Sequence, residues 1–544
     1  MRPAHTRSRR SGPLAVAAIV ASVTAVVVLA GMTPSPYSWK LVPGDGPAAP
    51  IRWIARGLGL DHLSLSAAGV VGIVVMALGV LAFLWCLRVA WRGDLSVRTV
   101  LWVAVGFQVV MAMMPVLLSQ DVFSYAMYAR IAAIHHANPY VVTPMHFPHD
   151  PMYPYVGWGW RNTPAVYGPA FTLLSEGVAR VLHGPLALVW SFKAIGAAAG
   201  IATLALISWI ARRLLPSRAA FAVALFGWNP PIVAYATGGG HNDMLVALSV
   251  AGAFAMLVKA RDEIDPRRRW WEVGAVGVLT LGCLVKVSIA PALVLAVVST
   301  VAARPRHERA RLLAWQIGLA AALTVAFAAP FWQTHDPSLG LSSLVSHRDW
   351  ISPVRFLLAS LGGLADLIGG GTARSVVEVL IRIGFAAAGV WAVVVVTVMV
   401  ARRATNRGSE DGNPPQTLFA DGAAWAWVLL VYVLVSPVVL PWYAAWVLPV
   451  AWMLPRSGRF ATIGVSVFLA ATHTVSRPHF VPALWDRMLV FGHDVGGPLL
   501  FAVLVWVLFE IERRRRTGRP LEDPELVPAP AAANRPVPAS SATR

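Results

Sequence analysis

Between Ser119 and Tyr140 the chain reads SQDVFSYAMYARIAAIHHANPY, and its one early acid, Asp121, follows a long apolar run. An ionisable side chain at a membrane boundary costs free energy that packing alone rarely offsets, about 2.5–3.5 kcal/mol at the centre of a span and less near its end. If the residues after Ser119 are helical, Asp121, Tyr125 and Tyr128 fall at i, i+4 and i+7 on one face. A carboxylate there can take a proton from a hydroxyl while the tyrosines stack on or hydrogen-bond a sugar. Equally, Ser119 caps the helix, Asp121 favours its dipole and the tyrosines form an interface belt. The spacing leaves both readings open.

Other chemistry-bearing residues lie in four further segments. Arg161, in the loop that follows NPY, offers a guanidinium fork to an anionic ligand, or alternatively a partner for Asp150. TGGGHNDM, from Thr237 to Met244, places three glycines and free N–H groups before a helix start, where a phosphate or hydroxyl can approach His241 and Asn242. Asp243 there would repel an anion, so it binds a hydroxyl, neutralises a basic partner or simply caps the helix. Lys286 interrupts LTLGCLVKVSIAPALVL with no carboxylate within a helical turn, so its partner must come from elsewhere in the fold or from a ligand, a lipid-linked phosphate being a natural choice; otherwise it snorkels. VSPVVLPWYAAW carries Trp442 and Tyr443, either an interface belt or the lining of a cavity, and HTVSRPHF carries Arg477, a candidate headgroup contact. His135, His136, His146 and His149 are too irregularly spaced for a zinc site, and no metal ligand set or cofactor is assigned.

These residues must be positioned by membrane helices. The 544-residue chain is 57% hydrophobic and 13% charged, with a mean hydropathy of +0.63, which describes a polytopic membrane protein rather than a soluble one. Its net charge of +19 does not imply nucleic acid, because the cations sit in short clusters between apolar runs with no aromatic and basic module to read bases. The apolar runs predict spans near 14–31, 66–91, 99–118, 186–211, 218–236, 243–260, 271–285, 287–303, 310–331, 376–402, 418–437, 441–455, 459–474 and 495–512. Runs 271–285 and 459–474 are short for a span of about 20 residues and read as half-helices or tilted pieces. Cys86 and Cys283 lie in apolar segments and make no disulfide framework.

Most of the 45 lysines and arginines fall on one side of this arrangement, which the positive-inside rule makes cytoplasmic, together with both termini. The division is then a cytoplasmic N-terminus over 1–13, a transmembrane catalytic domain over 14–512 with outer loops 33–64, 119–185 and 333–372, and a disordered cytoplasmic tail over 513–544, rich in Pro and Ala. The first apolar run is read as an uncleaved span. Asp336, His347, Arg348 and Asp349 belong to the third loop, but nothing in their spacing selects them.

The ordered set S-x-D-x-x-x-Y, NPY, YGP, GGGHND, LVK and SP-x-x-x-PWY, from about Thr99 to His473, resembles bacterial polyprenyl-phosphate-sugar-dependent glycosyltransferases of the glycosyltransferase C superfamily. It is most similar to the actinobacterial polyprenyl-phosphomannose-dependent α-mannosyltransferases. The resemblance implies an all-α membrane fold of about 12–14 helices with a large catalytic first outer loop. It implies Asp121 as general base, with Tyr125, Tyr128, Arg161, Tyr167, His241, Asn242, Asp243, Lys286, Trp442, Tyr443 and Arg477 as substrate-binding residues. Gln120 stands where that family would place a basic residue. The implied partners are a polyprenyl-phosphate sugar donor, a glycan or lipoglycan acceptor and membrane lipid, with the site on the outer face of the plasma membrane. The rival is a multi-span transporter or flippase of lipid-linked sugars, which predicts internal repeats and mid-span charges; the sequence has no visible repeat and its polar motifs gather on one side.

Overall fold

A computed structural model of the protein describes residues 11–31, 38–39, 49–332, 351–406, 414–473, 486–487 and 490–526. Apolar runs bounded by Ser, Gly and Pro become helices, numbered here in chain order: α1 (Ser11–Ala30), α2 (Ala49–Gly57), α3 (Leu65–Trp91), α4 (Val97–Ala112), α5 (Asp121–Ala133), α6 (Pro169–Val181), α7 (Pro185–Leu214), α8 (Ala219–Gly227) and α9 (Asp243–Ala260). They continue as α10 (Arg267–Val285), α11 (Ala290–Ala302), α12 (Arg306–Ala328), α13 (Pro353–Asn406), α14 (Pro414–Val435), α15 (Ala444–Ala451), α16 (Arg456–Thr472) and α17 (Gly497–Thr517). Ser64 and Ser96 cap α3 and α4 by accepting from backbone N–H groups in the first turn, the role expected of serine before an apolar helix.

Among the described residues eight helices are long and apolar enough to cross a membrane, or nine if a bent pair counts as one span. The protein is therefore an all-α, polytopic membrane protein, with fewer full-length spans than the 12–14 expected. The difference has local causes. The run near 218–236 breaks at Pro230 and Pro231, whose missing N–H groups stop α8, and the chain resumes as a π-helical turn over Pro231–Thr237 bent by 41°. The expected span 99–118 ends as a 16-residue α4 before Pro115, and 441–455 yields only a 3₁₀ turn and the 8-residue α15. α13 starts at Pro353, inside the expected third outer loop, and breaks at Gly370, where φ is 67°. Residues 333–350, with Asp336, His347, Arg348 and Asp349, lie outside the described residues, as does Arg477.

The described part of the tail, residues 513–526, is ordered where disorder was expected. α17 runs to Thr517, and the segment after it folds back on the bundle: Asp523 pairs with Arg459 at 2.8 Å, Glu522 with Arg403 at 2.9 Å, and Trp427 donates to the Leu521 carbonyl. Acidic residues in LEDPEL hold it against the basic helix ends, a pairing that a Pro and Ala composition conceals.

Residues 113–185 carry no spanning helix. Their only strand pairing is Val116–Leu117 with Ser38–Trp39, antiparallel, in register Ser38 to Leu117. The loop is fastened from within by a buried ion pair. Arg130, in the last turn of α5, donates from Nε to both Asp150 oxygens at 2.9 and 3.0 Å and from its guanidinium to the His183 carbonyl; His135 meets Asp150 at 2.8 Å. Burial alone would raise the Asp150 carboxyl, but Arg130, the Met152 amide and His135 hold it below the ordinary carboxylate range. Removing one partner of a buried pair costs about 3–5 kcal/mol, against about 0–1 kcal/mol for an exposed one. Arg130→Ala is therefore expected to lower the thermal unfolding midpoint in detergent far more than Arg180→Ala, which removes the exposed pair with Glu176. Equal midpoints would show that the pair does not hold the loop.

Candidate functional site

Asp121 opens α5 immediately after a strained stretch. Leu118 has φ of 57°, an uncommon conformation for a residue with a Cβ, and the Ser119 hydroxyl accepts from the Asp121 amide at 3.2 Å. The stretch is held by a lysine in α7. Lys193, fully buried, donates to the carbonyls of Met114 at 2.6 Å, Pro115 at 3.1 Å and Gly238 at 2.9 Å, and the Leu117 amide donates to the same Gly238 carbonyl. One ammonium thus ties the approach to Asp121 to the glycine turn. No motif marks Lys193, although a lysine inside a 30-residue apolar helix is itself a signal of the kind that marks Lys286.

The glycine turn delivers His241, Asn242 and Asp243. Gly240 has φ of 72°, and a Cβ there would lie 2.9 Å from Cγ of Lys193, so conformation and space both select glycine. His241 is buried, stacks on Trp442 with ring centres 3.8 Å apart, and places Nδ1 3.5 Å from Asp121 Oδ2. Burial, then the charge of Lys286, keeps its pKa well below the ordinary value, so the ring is neutral. Asn242 Oδ1 accepts from the Tyr125 hydroxyl at 3.3 Å.

Asp243 and Lys286 find each other. The ammonium at the C-terminal end of α10 lies 2.9 and 3.2 Å from the two carboxylate oxygens, and Trp446 donates to Oδ1 at 2.6 Å. Lys286 also lies 4.7 Å from the Tyr443 ring centre and 5.3 Å from that of Trp446, two rings stacked 4.0 Å apart; the arrangement has cation–π geometry. The partner that Lys286 required is thus an acid of the protein, and its side chain remains 18% exposed.

NPY and YGP place Lys286. Tyr140 donates to the Tyr167 carbonyl at 2.6 Å, Ala165 donates to the Pro139 carbonyl, and Gly168 donates to the Val285 carbonyl. A Cβ at Gly168 would come within 2.1 Å of the Leu284 carbonyl oxygen, so glycine permits the contact that seats the end of α10. Tyr167 packs edge-on to Tyr125 at 4.7 Å.

Two expected site residues are committed elsewhere. Tyr128 donates to the Thr163 carbonyl at 2.8 Å and serves the loop. Arg161 donates to the carbonyls of Val156 and Pro154 and packs over Tyr153 and Trp158, while Asp150 belongs to Arg130. Its guanidinium staples a proline-rich turn instead of reaching the Asp121 cluster. The histidines are likewise structural where their partners are seen: His135 serves Asp150 and His146 contacts Thr143. Among the described residues no group of three or more His, Cys, Asp or Glu is arranged to hold a metal.

The site brings together Asp121, Tyr125, His241, Asn242 and Trp442, beside the Asp243 and Lys286 pair. The Asp121 side chain keeps 20% of its exposure. Burial pushes its carboxyl up, Lys286 pulls it down and Asp243 raises it again, leaving it at about 6. Around it, both His241 ring nitrogens, Asn242 Nδ2 and Trp442 Nε1 are buried and complete no hydrogen bond with the protein among the described residues. Such a concentration of unsatisfied polar atoms is unusual in a folded interior and suits a hydroxyl-rich ligand.

Residues 21–304, more than half of the chain, match the family model described as alpha-(1->6)-mannopyranosyltransferase, N-terminal domain. The chain belongs to this family and is a membrane glycosyltransferase; the matched region takes in Asp121, Lys193, the glycine turn and Lys286. A probable alpha-(1->6)-mannopyranosyltransferase of Mycolicibacterium smegmatis is 26% identical over 466 residues, covering 76% of this chain and 74% of the relative. Alpha-(1->6)-mannopyranosyltransferase A of Mycobacterium tuberculosis is 26% identical over 424 residues, covering 75% of this chain and 74% of the relative. No solved structure matches the chain.

Gly168→Ala is expected to force the loop from α10, lowering the thermal unfolding midpoint by an amount equivalent to about 1–3 kcal/mol, the usual cost of overpacking. An unchanged midpoint would place the two segments apart.

Proposed function

We propose that this member of the alpha-(1->6)-mannopyranosyltransferase family transfers mannose from a polyprenyl-phosphate donor to a hydroxyl of a cell-envelope glycan or lipoglycan, with Asp121 as general base. The observation that carries this reading is the Asp121 carboxylate itself, partly open, raised to about 6 and ringed by polar atoms that a sugar would satisfy. A base tuned toward neutrality balances readiness to accept a proton against remaining ionised.

In the step, the acceptor O–H proton passes to Asp121 and the oxygen attacks the anomeric carbon. The bond from that carbon to the phosphate oxygen breaks, and its electron pair leaves with the polyprenyl phosphate. Attack opposite the leaving group inverts the centre, so a β-linked donor gives an α product, the linkage in the relatives' names. Trp442, stacked on His241, and Tyr125, bonded to Asn242, hold the His241 and Asn242 polar atoms toward the sugar. Lys286, whose charge lowers the Asp121 carboxyl and whose side chain is 18% exposed, supports a role beside the departing phosphate. The clustering of Lys and Arg at the opposite helix ends supports an outer-face site with both termini in the cytoplasm.

Purified enzyme supplied with radiolabelled polyprenyl-phosphomannose and an oligomannoside tests the reading. Asp121→Asn is expected to lose roughly 10²–10⁴-fold in kcat; wild-type turnover in this variant would remove Asp121 from the role. The base must be ionised, so kcat/KM of the wild type should fall as pH drops through about 6. Lys286→Met removes the charge that lowers Asp121, so the acid limb of the residual activity should move to higher pH; a limb that stays in place would show that the two groups are not coupled.

A further inference from the structure

A cavity that shares no lining residue with the Asp121 cluster lies elsewhere in the bundle. The cavity, of about 530 Å3, lies between the last turns of α3, the start of α8, the start of α16 and the returned tail. One wall is apolar, formed by Leu84, Leu87, Phe221, Phe460 and Ile463. Leu84 and Phe460 are 40% and 60% exposed, and on the α3 face Leu81 and Trp85 are exposed beside them, a surface made for acyl chains rather than water.

The rest of the lining is cationic. Arg88, Arg92, Arg456 and Arg459 face the cavity, with Glu525 as its one carboxylate. Arg459 is neutralised by Asp523 and rests 4.5 Å over the Trp91 ring, which Arg218 also covers at 4.1 Å. Arg88, Arg92 and Arg456 are exposed and make no ion pair among the described residues. Three guanidinium groups without an ion pair, of which Arg456 also lies 5.5 Å from the Phe460 ring centre, leave beside one acid an excess of positive charge with donors of the kind that match phosphate oxygens. An apolar wall open to the side joined to a cationic pocket at helix ends is the chemistry of a phosphate ester carrying hydrocarbon chains.

We propose that this cavity binds the phosphate headgroup of an anionic membrane lipid, at a site separate from the one that handles the sugar. The phosphate lies among Arg88, Arg92 and Arg456, and the chains leave along Leu84 and Phe460. A lipid held there bridges α3, α8 and α16.

Native mass spectrometry of the full-length protein with phosphatidylglycerol, phosphatidylcholine or inorganic phosphate tests the site. The wild type should retain phosphatidylglycerol in preference to phosphatidylcholine, and Arg88→Gln with Arg456→Gln together should weaken that retention by roughly tenfold or more, the effect of losing charge-assisted hydrogen bonds. Thermal melting in lipid-free detergent should be nearly the same for both proteins, because neither arginine makes an ion pair among the described residues and Arg456 gives up only an exposed contact over the Phe460 ring. Displacement of the lipid by millimolar inorganic phosphate would keep the phosphate site and reassign it to a soluble ester. Equal retention of the two lipids, or equal retention by wild type and variant, would overturn the proposal.

Discussion

The buried contact between Asp243 and Lys286 organises the candidate site. Neither charge could stay at this depth alone, since an unpaired ion in low dielectric costs several kcal/mol even after relaxation. Together they are tolerated because Trp446 donates a further hydrogen bond to the carboxylate and two aromatic rings lie beside the ammonium. The contact joins the first turn of α9, the end of α10 and the start of α15, segments far apart in sequence. Each brings its neighbours: His241 and Asn242 arrive with Asp243, Trp442 with Trp446, and the YGP turn with the end of α10. The charges also act on Asp121, for Lys286 and Asp243 pull its carboxyl in opposite directions while burial raises it.

Lys193 performs the same service for backbone. Three carbonyl oxygens converge on its ammonium, the kind of partner that allows a charge inside an apolar helix. Two of them precede Leu118, so the strained residue before Asp121 sits between a fixed backbone on one side and a helix start on the other. Local strain of this kind costs about 1–3 kcal/mol and persists only where surrounding contacts determine it. Under the proposed role of Asp121 as base, such rigid support limits the reorganisation needed when substrate arrives.

The Asp121 face was partly legible in the one-dimensional pattern. The i, i+4 spacing from Asp121 to Tyr125 does bring both to the same cluster, and the glycine turn does lead into a helix beside it. The next step of the same pattern, Tyr128, turns instead to a loop carbonyl, because the loop contains a nearby acceptor that helix geometry cannot reveal. Arg161 shows the same limit. Its residue type promised an anion contact, yet Pro154 and Val156 present carbonyls and Tyr153 and Trp158 present rings within a few residues, so local bonds consume it. Arg130, which carries the buried pair with Asp150, lies in a helix whose periodicity marks no special face.

Composition and charge patterning by themselves determined that this protein is a helical membrane protein, where its main apolar runs lie and which end of the bundle is basic. These follow from the cost of placing polar backbone and charges in hydrocarbon, which acts on every residue regardless of the final packing. The order of short motifs also marked the segments that meet. Tertiary structure alone decided the partners: Asp243 for Lys286, the carbonyls at 114, 115 and 238 for Lys193, Arg130 for Asp150, and acidic tail residues for Arg403 and Arg459. Pairing depends on distance and direction in space, and a buried charge takes whichever complementary group the fold places within about 3 Å. That selection leaves the Asp121 carboxylate without a cation bonded to it among the described residues and partly exposed, an outcome that its local pattern does not contain.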